Sequence, residues 1–167
     1  RKLKVLLLTR TQVGDEGLFH LRGHPSLITL ELGRTNVTDA GLVHLAEIPN
    51  LKQLGLSENK IDGTGLAALR KLPRLTHLGL GGTQISDAAV EILAQFPALE
   101  FLGIQSTLIT EAGERRLQSL LPECQVIGDW ARRRELAASG VEPDSDPERK
   151  SDEVHGEGDG ANAPVVE

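Results

Sequence analysis

LTHLGLGGTQISDAAVEILAQFPA, residues 75–98, is one turn of a pattern that runs through most of the chain. Its first, fourth and sixth residues are apolar, and each belongs to a column with a 24-residue period. Leu3, Leu27, Leu51, Leu75 and Leu99 form the first column. Leu6, Leu30, Leu54, Leu78 and Leu102 form the second, and Leu8, Leu32, Leu56, Leu80 and Ile104 the third. A fourth column, Leu21, Leu45, Leu69, Leu93 and Leu117, comes later in each unit. Pro25, Pro49, Pro73 and Pro97 close four units at the same spacing, and Pro122 falls one place late in the fifth.

Each unit has a physical reading. Its third to sixth residues predict a strand of about four residues, with the fourth and sixth side chains on one face and the third and fifth on the other. After a turn comes an apolar step (Val13, Val37, Ile61, Ile85, Ile109) and then a residue of helix N-cap type: Gly14, Thr38, Asp62, Ser86, Thr110. Asp15, Asp39, Asp87 and Glu111 follow in four of the five units, where the helix dipole favours negative charge. Leu42, Leu45 and Ile48, spaced by three, predict one buried stripe on a helix of two to three turns, stopped by the proline. One such unit cannot bury its apolar face alone, whereas stacked neighbours can. Their strands pair in parallel at about 4.8 Å, and the bulkier helices curve the stack with the strands inside.

The units LITLELGRTNVTDAGLVHLAEIPN (residues 27–50) and LTHLGLGGTQISDAAVEILAQFPA resemble leucine-rich repeats of LxxLxLxxT/NxI/V pattern. Thr38-Asp39-Ala40-Gly41-Leu42 resembles the short 24-residue variety abundant in planctomycete-type bacteria, and is similar to repeats of F-box adaptors and ribonuclease-inhibitor-like proteins. The resemblance covers residues 3 to about 127. It implies an α/β fold: a leucine-rich repeat solenoid, a curved right-handed coil with parallel strands on the concave face and short helices on the convex face. It also implies a non-enzymatic scaffold that binds a protein or peptide partner, with no catalytic residues and no cofactor. The alternative is the substrate-recognition part of a larger F-box-type or kinase-linked protein.

The chain departs from the family in places. The usual turn Asn is Thr11, Thr35, Thr83 and Thr107, with only Asn59 matching, and one hydroxyl satisfies the turn less completely than an amide. In the last unit Glu114 stands in the apolar column and Arg115-Arg116 follow, a polar end of the kind that keeps a solenoid soluble. Leu121 to Ile127 reads as a last partial strand, with Trp130 as a lid. At the other end Leu3, Val5 and Leu7 have no such device, and the expectation is that further repeats or a capping segment preceded Arg1.

The resulting organisation is a repeat domain over 1–130 with units starting at 3, 27, 51, 75 and 99, then a short helix or linker over 131–140. A disordered tail over 141–167 follows, rich in Gly, Pro and acids. That tail holds nine acidic and two basic side chains, a charge of −7, so the chain's −6 leaves the body at +1. A near-neutral body argues against tracking nucleic-acid phosphates. Three Phe, one Trp and no Tyr exclude an aromatic base-stacking platform. A single Cys excludes an internal disulfide framework and a multi-Cys zinc site. No apolar run approaches the roughly 18 residues of a membrane span. There is no signal peptide, yet the chain opens on Arg1 rather than Met. The reading is therefore a fragment or processed product, with the cytoplasm favoured.

The candidate site is the concave face, where Thr29, Glu31, Gln53, His77 and Phe101 form a mixed polar and aromatic strip beside a column of Gly55, Gly79 and Gly103. Those glycines leave a flat floor for close approach by a partner; the plainer reading is that small residues are tolerated there. Arg34, Glu58 and Gln105 add a rim. Other motifs carry less. His20 and His24 are four apart, but His24 falls in a column of Ile48, Leu72, Phe96 and Leu120, and the segment lacks the glutamate of a zinc-protease motif, so no metal is expected. Gly79-Leu80-Gly81-Gly82-Thr83 resembles a phosphate loop in outline without its Lys. No arrangement places a nucleophile beside a base, and Cys124 reads as a core residue. Arg132-Arg133-Arg134 reads as a solvated helix end.

Overall fold

Three-residue strands recur at the 24-residue period: β1 Val5–Leu7, β2 Thr29–Glu31, β3 Gln53–Gly55, β4 His77–Gly79, β5 Phe101–Gly103 and β6 Gln125–Ile127. The computed structural model describes residues 2–130 and Ala138. The expected helix or linker over 131–140, with Arg132-Arg133-Arg134, and the expected tail over 141–167 therefore lie, Ala138 apart, outside the described residues. The six strands form one parallel sheet in chain order. Its register is unbroken, since Leu6, Leu30, Leu54, Leu78, Leu102 and Val126 are successive partners. This is the α/β solenoid of leucine-rich repeat type, with strands lining the inner face and helices the outer.

The leucine columns fill the interior. Leu30, Leu54, Leu78 and Leu102 are buried, as are Leu32, Leu56, Leu80 and Ile104, and Leu45, Leu69, Leu93 and Leu117 close the core from the helix side. In the first unit Leu6, Leu8, Val13 and Leu21 are only partly buried, and Leu3, Val5 and Leu7 are exposed.

The helices differ from expectation. These are α1 Asp15–Phe19, α2 Leu42–Leu45, α3 Leu66–Leu69, α4 Val90–Leu93 and α5 Glu111–Leu120. Among the described residues only α5, with ten residues, reaches the expected length. In units two and four a 3₁₀ turn, Asp39–Gly41 or Asp87–Ala89, leads into a four-residue helix. The 3₁₀ form rises about 2.0 Å per residue against 1.5 Å for α, so it crosses the back of a short coil with fewer residues.

The cap residues also work differently. Thr38 and Thr110 accept from the amides of Ala40 and Gly113, and Asp62 accepts from the Thr64 amide and hydroxyl, which hold its carboxyl below the usual range. Gly14 and Ser86 make no side-chain cap. Asp15, Asp39 and Asp87 serve the next unit. Asp15 accepts from the Thr38 amide and hydroxyl at 2.8 and 2.7 Å, and Asp87 from those of Thr110 at 2.9 and 2.7 Å. Asp39 accepts from the amides of Asp62, Gly63 and Gly65. A glycine makes room for each: a side chain at Gly41 would overlap the Asp15 carboxylate, and one at Gly113 that of Asp87. Unit three has Gly63 where the others have an acid, and there the facing residue is Ala89 instead of glycine.

The turn column behaves as its chemistry requires. The hydroxyls of Thr11, Thr35, Thr83 and Thr107 each donate to the carbonyl three residues back, at 2.6 to 2.8 Å. Asn59 does more. Its amide donates to the carbonyls of Leu56 and Leu32, and its oxygen accepts from the Thr35 amide, which ties units two and three. Glu114 corrects the reading of a polar end. It is 1% exposed, and its carboxylate accepts from the Trp130 amide at 3.2 Å. Gly128 has no side chain to collide with it. Trp130 itself is half-buried.

Two outcomes test this packing. Leu78→Ala is expected to destabilise by about 2–5 kcal/mol in denaturant melts, and a loss under about 1 kcal/mol would place that column outside the core. Gly41→Ala is expected to cost about 1–3 kcal/mol by overpacking against Asp15. In an Asp15→Ala background that penalty should largely vanish, and additive losses in the double-mutant cycle would refute the Asp–Gly pairing.

Candidate functional site

Parallel pairing in register converts sequence period into two straight rows on the concave face. One row is Val5, Thr29, Gln53, His77, Phe101 and Gln125; the other is Leu7, Glu31, Gly55, Gly79, Gly103 and Ile127. All eight candidate residues lie in these rows, so the fold brings them together. In the first row the Thr29 hydroxyl donates to Gln53 Oε1 at 3.0 Å, and the rings of His77 and Phe101 stack with centroids 5.8 Å apart and 19° between planes.

In the second row the glycine floor is narrower than the sequence suggests. Glu31 leans across β3, and a side chain at Gly55 would collide with its carboxylate. Gly103 is covered by Gln105 Oε1 and the Phe101 ring. Gly79 alone is left with ordinary contacts, to Ser57 Oγ and the Gly55 Cα, and makes the open part of the floor. Partial burial pushes the Glu31 carboxyl above the usual carboxylate range. Among the described residues no hydrogen-bond donor or cation meets it.

The rim holds a feature the sequence hides. Arg10, Arg34, Glu58, Gly82 and Ser106, again 24 apart, all have left-handed backbones, with φ of 61, 54, 58, 69 and 55°. Four are not glycine, and each such residue carries a strain of the order of 1–2 kcal/mol. In return the amides of Arg10, Arg34, Glu58 and Gly82 reach carbonyls of the next unit at 2.7 to 2.9 Å. Gly82 was the only sequence signal for this column. Arg34 pairs with Glu58, and beside them a groove of about 680 Å³ runs past Ser57, Gly81, Gln105 and Ser106.

His77 has a second contact: Thr76 Oγ1 lies 2.9 Å from its Nδ1, a hydroxyl beside an imidazole that sequence reading did not foresee. The same hydroxyl donates its proton to the Lys52 carbonyl at 3.3 Å. Burial pushes the half-buried Cys124 thiol up, away from the thiolate form. Thr83, in the loop resembling a phosphate site, is buried with its hydroxyl on the Leu80 carbonyl.

On the convex side His20 and His24 part company. His24 is buried, with Nδ1 lacking a partner, as its apolar column dictates. His20 lies edge-on to the exposed Phe19, as does His44 from the next unit, with the Arg22 guanidinium 5.2 Å from the Phe19 ring centre. Among the described residues no cluster of three or more His, Cys, Asp or Glu could hold a metal, and no helix is long and apolar enough to cross a membrane.

Residues 25–85 match the leucine-rich repeat family. No curated protein matches the chain in sequence. Among solved structures it is similar to actin-binding site 2 of leiomodin-1, at 18% identity over 82% of this chain and 87% of that one, with a TM-score of 0.60. It is similar to the C-terminal domain of tropomodulin from Caenorhabditis elegans, at 18% identity over 83% and 90%, TM-score 0.57. An internalin from Listeria monocytogenes gives 22% identity and a TM-score of 0.56, over 74% of this chain and 40% of that one. At these identities the likeness is one of fold.

His24→Leu checks the reading of the buried imidazole. Relieving an unpaired buried nitrogen should leave stability unchanged or raise it by about 1 kcal/mol in denaturant melts. A loss above about 1 kcal/mol would show that the ring is held by a polar partner.

Proposed function

We propose that this chain, whose fold is that of a leucine-rich repeat protein, is a non-enzymatic module that holds a protein or peptide segment on its concave face. One observation carries the reading: Gln53, His77 and Phe101 project side by side from adjacent strands, beside the open floor at Gly79. Aromatic and amide side chains held on a rigid sheet give contact area at low entropic cost. The likeness to leiomodin-1 actin-binding site 2 supports a protein partner without identifying it.

An enzymatic reading has less support. Thr76 places a hydroxyl beside the His77 imidazole, and that hydroxyl is engaged with the backbone. The Cys124 thiol is shifted away from its reactive form.

The test is selection of peptides from a random display library on the intact chain, followed by binding to the Gln53→Ala/His77→Ala/Phe101→Ala variant. Peptides should lose at least tenfold in affinity, while circular dichroism shows the variant folded. Peptides held equally well by both proteins would place the binding surface elsewhere.

A further inference from the structure

We propose that the concave strip selects an arginine side chain of its partner, whose guanidinium pairs with Glu31 and lies along the stacked rings of His77 and Phe101. The inference rests on the concave face being the binding face and adds the chemistry of what binds.

Charge complementarity is the first support. Among the outward residues of β2 to β5, namely Thr29, Glu31, Gln53, Gly55, His77, Gly79, Phe101 and Gly103, Glu31 is the one with a fixed charge. Among the described residues no nearby charge neutralises it. Arg34 is taken by Glu58, and Lys52, just before β3, makes no ion pair with Glu31. A carboxylate already partly withdrawn from water gains more from a cation than a fully exposed one, because the fold has borne part of its desolvation.

Geometry supplies the choice of cation. The Glu31 carboxylate lies over Gly55, one strand from β4, which is a spacing of about 4.8 Å. The space beside it is the bare floor at Gly79, and beyond that stand the nearly parallel His77 and Phe101 rings. A flat guanidinium can present two N–H groups to the carboxylate and its face or its stem to the rings. A lysine ammonium pairs as a point charge and does not stack, so it uses half of the arrangement. An acidic side chain meets repulsion from Glu31.

The experiment titrates the ¹⁵N-labelled full chain at pH 7.5 with acetyl-Gly-Arg-Gly-amide, and with the Lys and Glu counterparts, reading backbone amide shifts. The arginine peptide should move the amides of Glu31, Gly55, Gly79 and Phe101 saturably, and the lysine peptide should bind at least threefold more weakly. Glu31→Gln should weaken the arginine peptide at least fivefold, and Phe101→Leu at least threefold, with otherwise unchanged spectra reporting an intact fold. Absence of saturable shifts at these amides up to 50 mM peptide, or equal affinity in Glu31→Gln, overturns the inference. Display-selected peptides separate the two readings. Peptides that need Gln53, His77 and Phe101 but contain no arginine and ignore Glu31→Gln sink the arginine inference and leave the concave face standing. Peptides indifferent to the triple alanine variant remove both.

Discussion

Everything in this molecule depends on hydrogen bonds that a coil makes to its neighbour instead of to itself. A three-residue strand has no partner within its own unit, so the strands pair only across the 24-residue step, on both sides for β2 to β5 and on one side for β1 and β6. The pairing continues past the strands. Leu32, Leu56 and Leu80 donate to Gly55, Gly79 and Gly103, and the left-handed turn residues donate one step further along. On the helix side the same task falls to Asp15, Asp39 and Asp87, which cap the start of the following helix. Buried backbone groups must be paired, so a unit whose length deviated would orphan donors along its whole perimeter. Strict period is thus a condition of polar satisfaction as much as of leucine packing.

The parts legible in the sequence were those that repeat by residue type. Leucine columns, the parallel strands and the identity of the two outward rows all follow from counting in steps of 24. What stayed hidden repeats by conformation or acts across a unit boundary. The left-handed column is filled by Arg, Arg, Glu, Gly and Ser, which share no chemistry, and only Gly82 announces a positive φ. Asp39 looks like a first-turn acid because its true partners, the amides of Asp62, Gly63 and Gly65, are 23 to 26 residues away. Glu114 looks like a solvated replacement for leucine, since nothing local reveals that the Trp130 amide and the bare Gly128 receive its carboxylate.

The concave rows show the same division. Their membership is a matter of period, but what each side chain does depends on its length and its neighbour's size. Glu31 can cross β3 because residue 55 is glycine, and Gly103 is lost as floor because Gln105 folds over it. A column of three glycines therefore yields one open position, at Gly79. The His77–Phe101 stack likewise needs both rings at the same place in adjacent units, which the register guarantees once both residues are aromatic.

Coupling between units is uneven, and the unevenness has a cause. Unit three has Gly63 in place of the acid, so Ser86 goes without the cap that Thr38 and Thr110 receive, and Ala89 fills the space where other units keep a glycine. The helices on either side, α3 and α4, pack more sparsely than the other neighbouring helix pairs, while β3 and β4 pair as fully as the rest of the sheet. The looser packing is thus confined to the back of this junction, and the strand pairing in front of it is in register. Gln53 and His77 stand on those two strands. The spacing of the strip is set by the backbone pairing of those strands, which the sparser helix side does not interrupt.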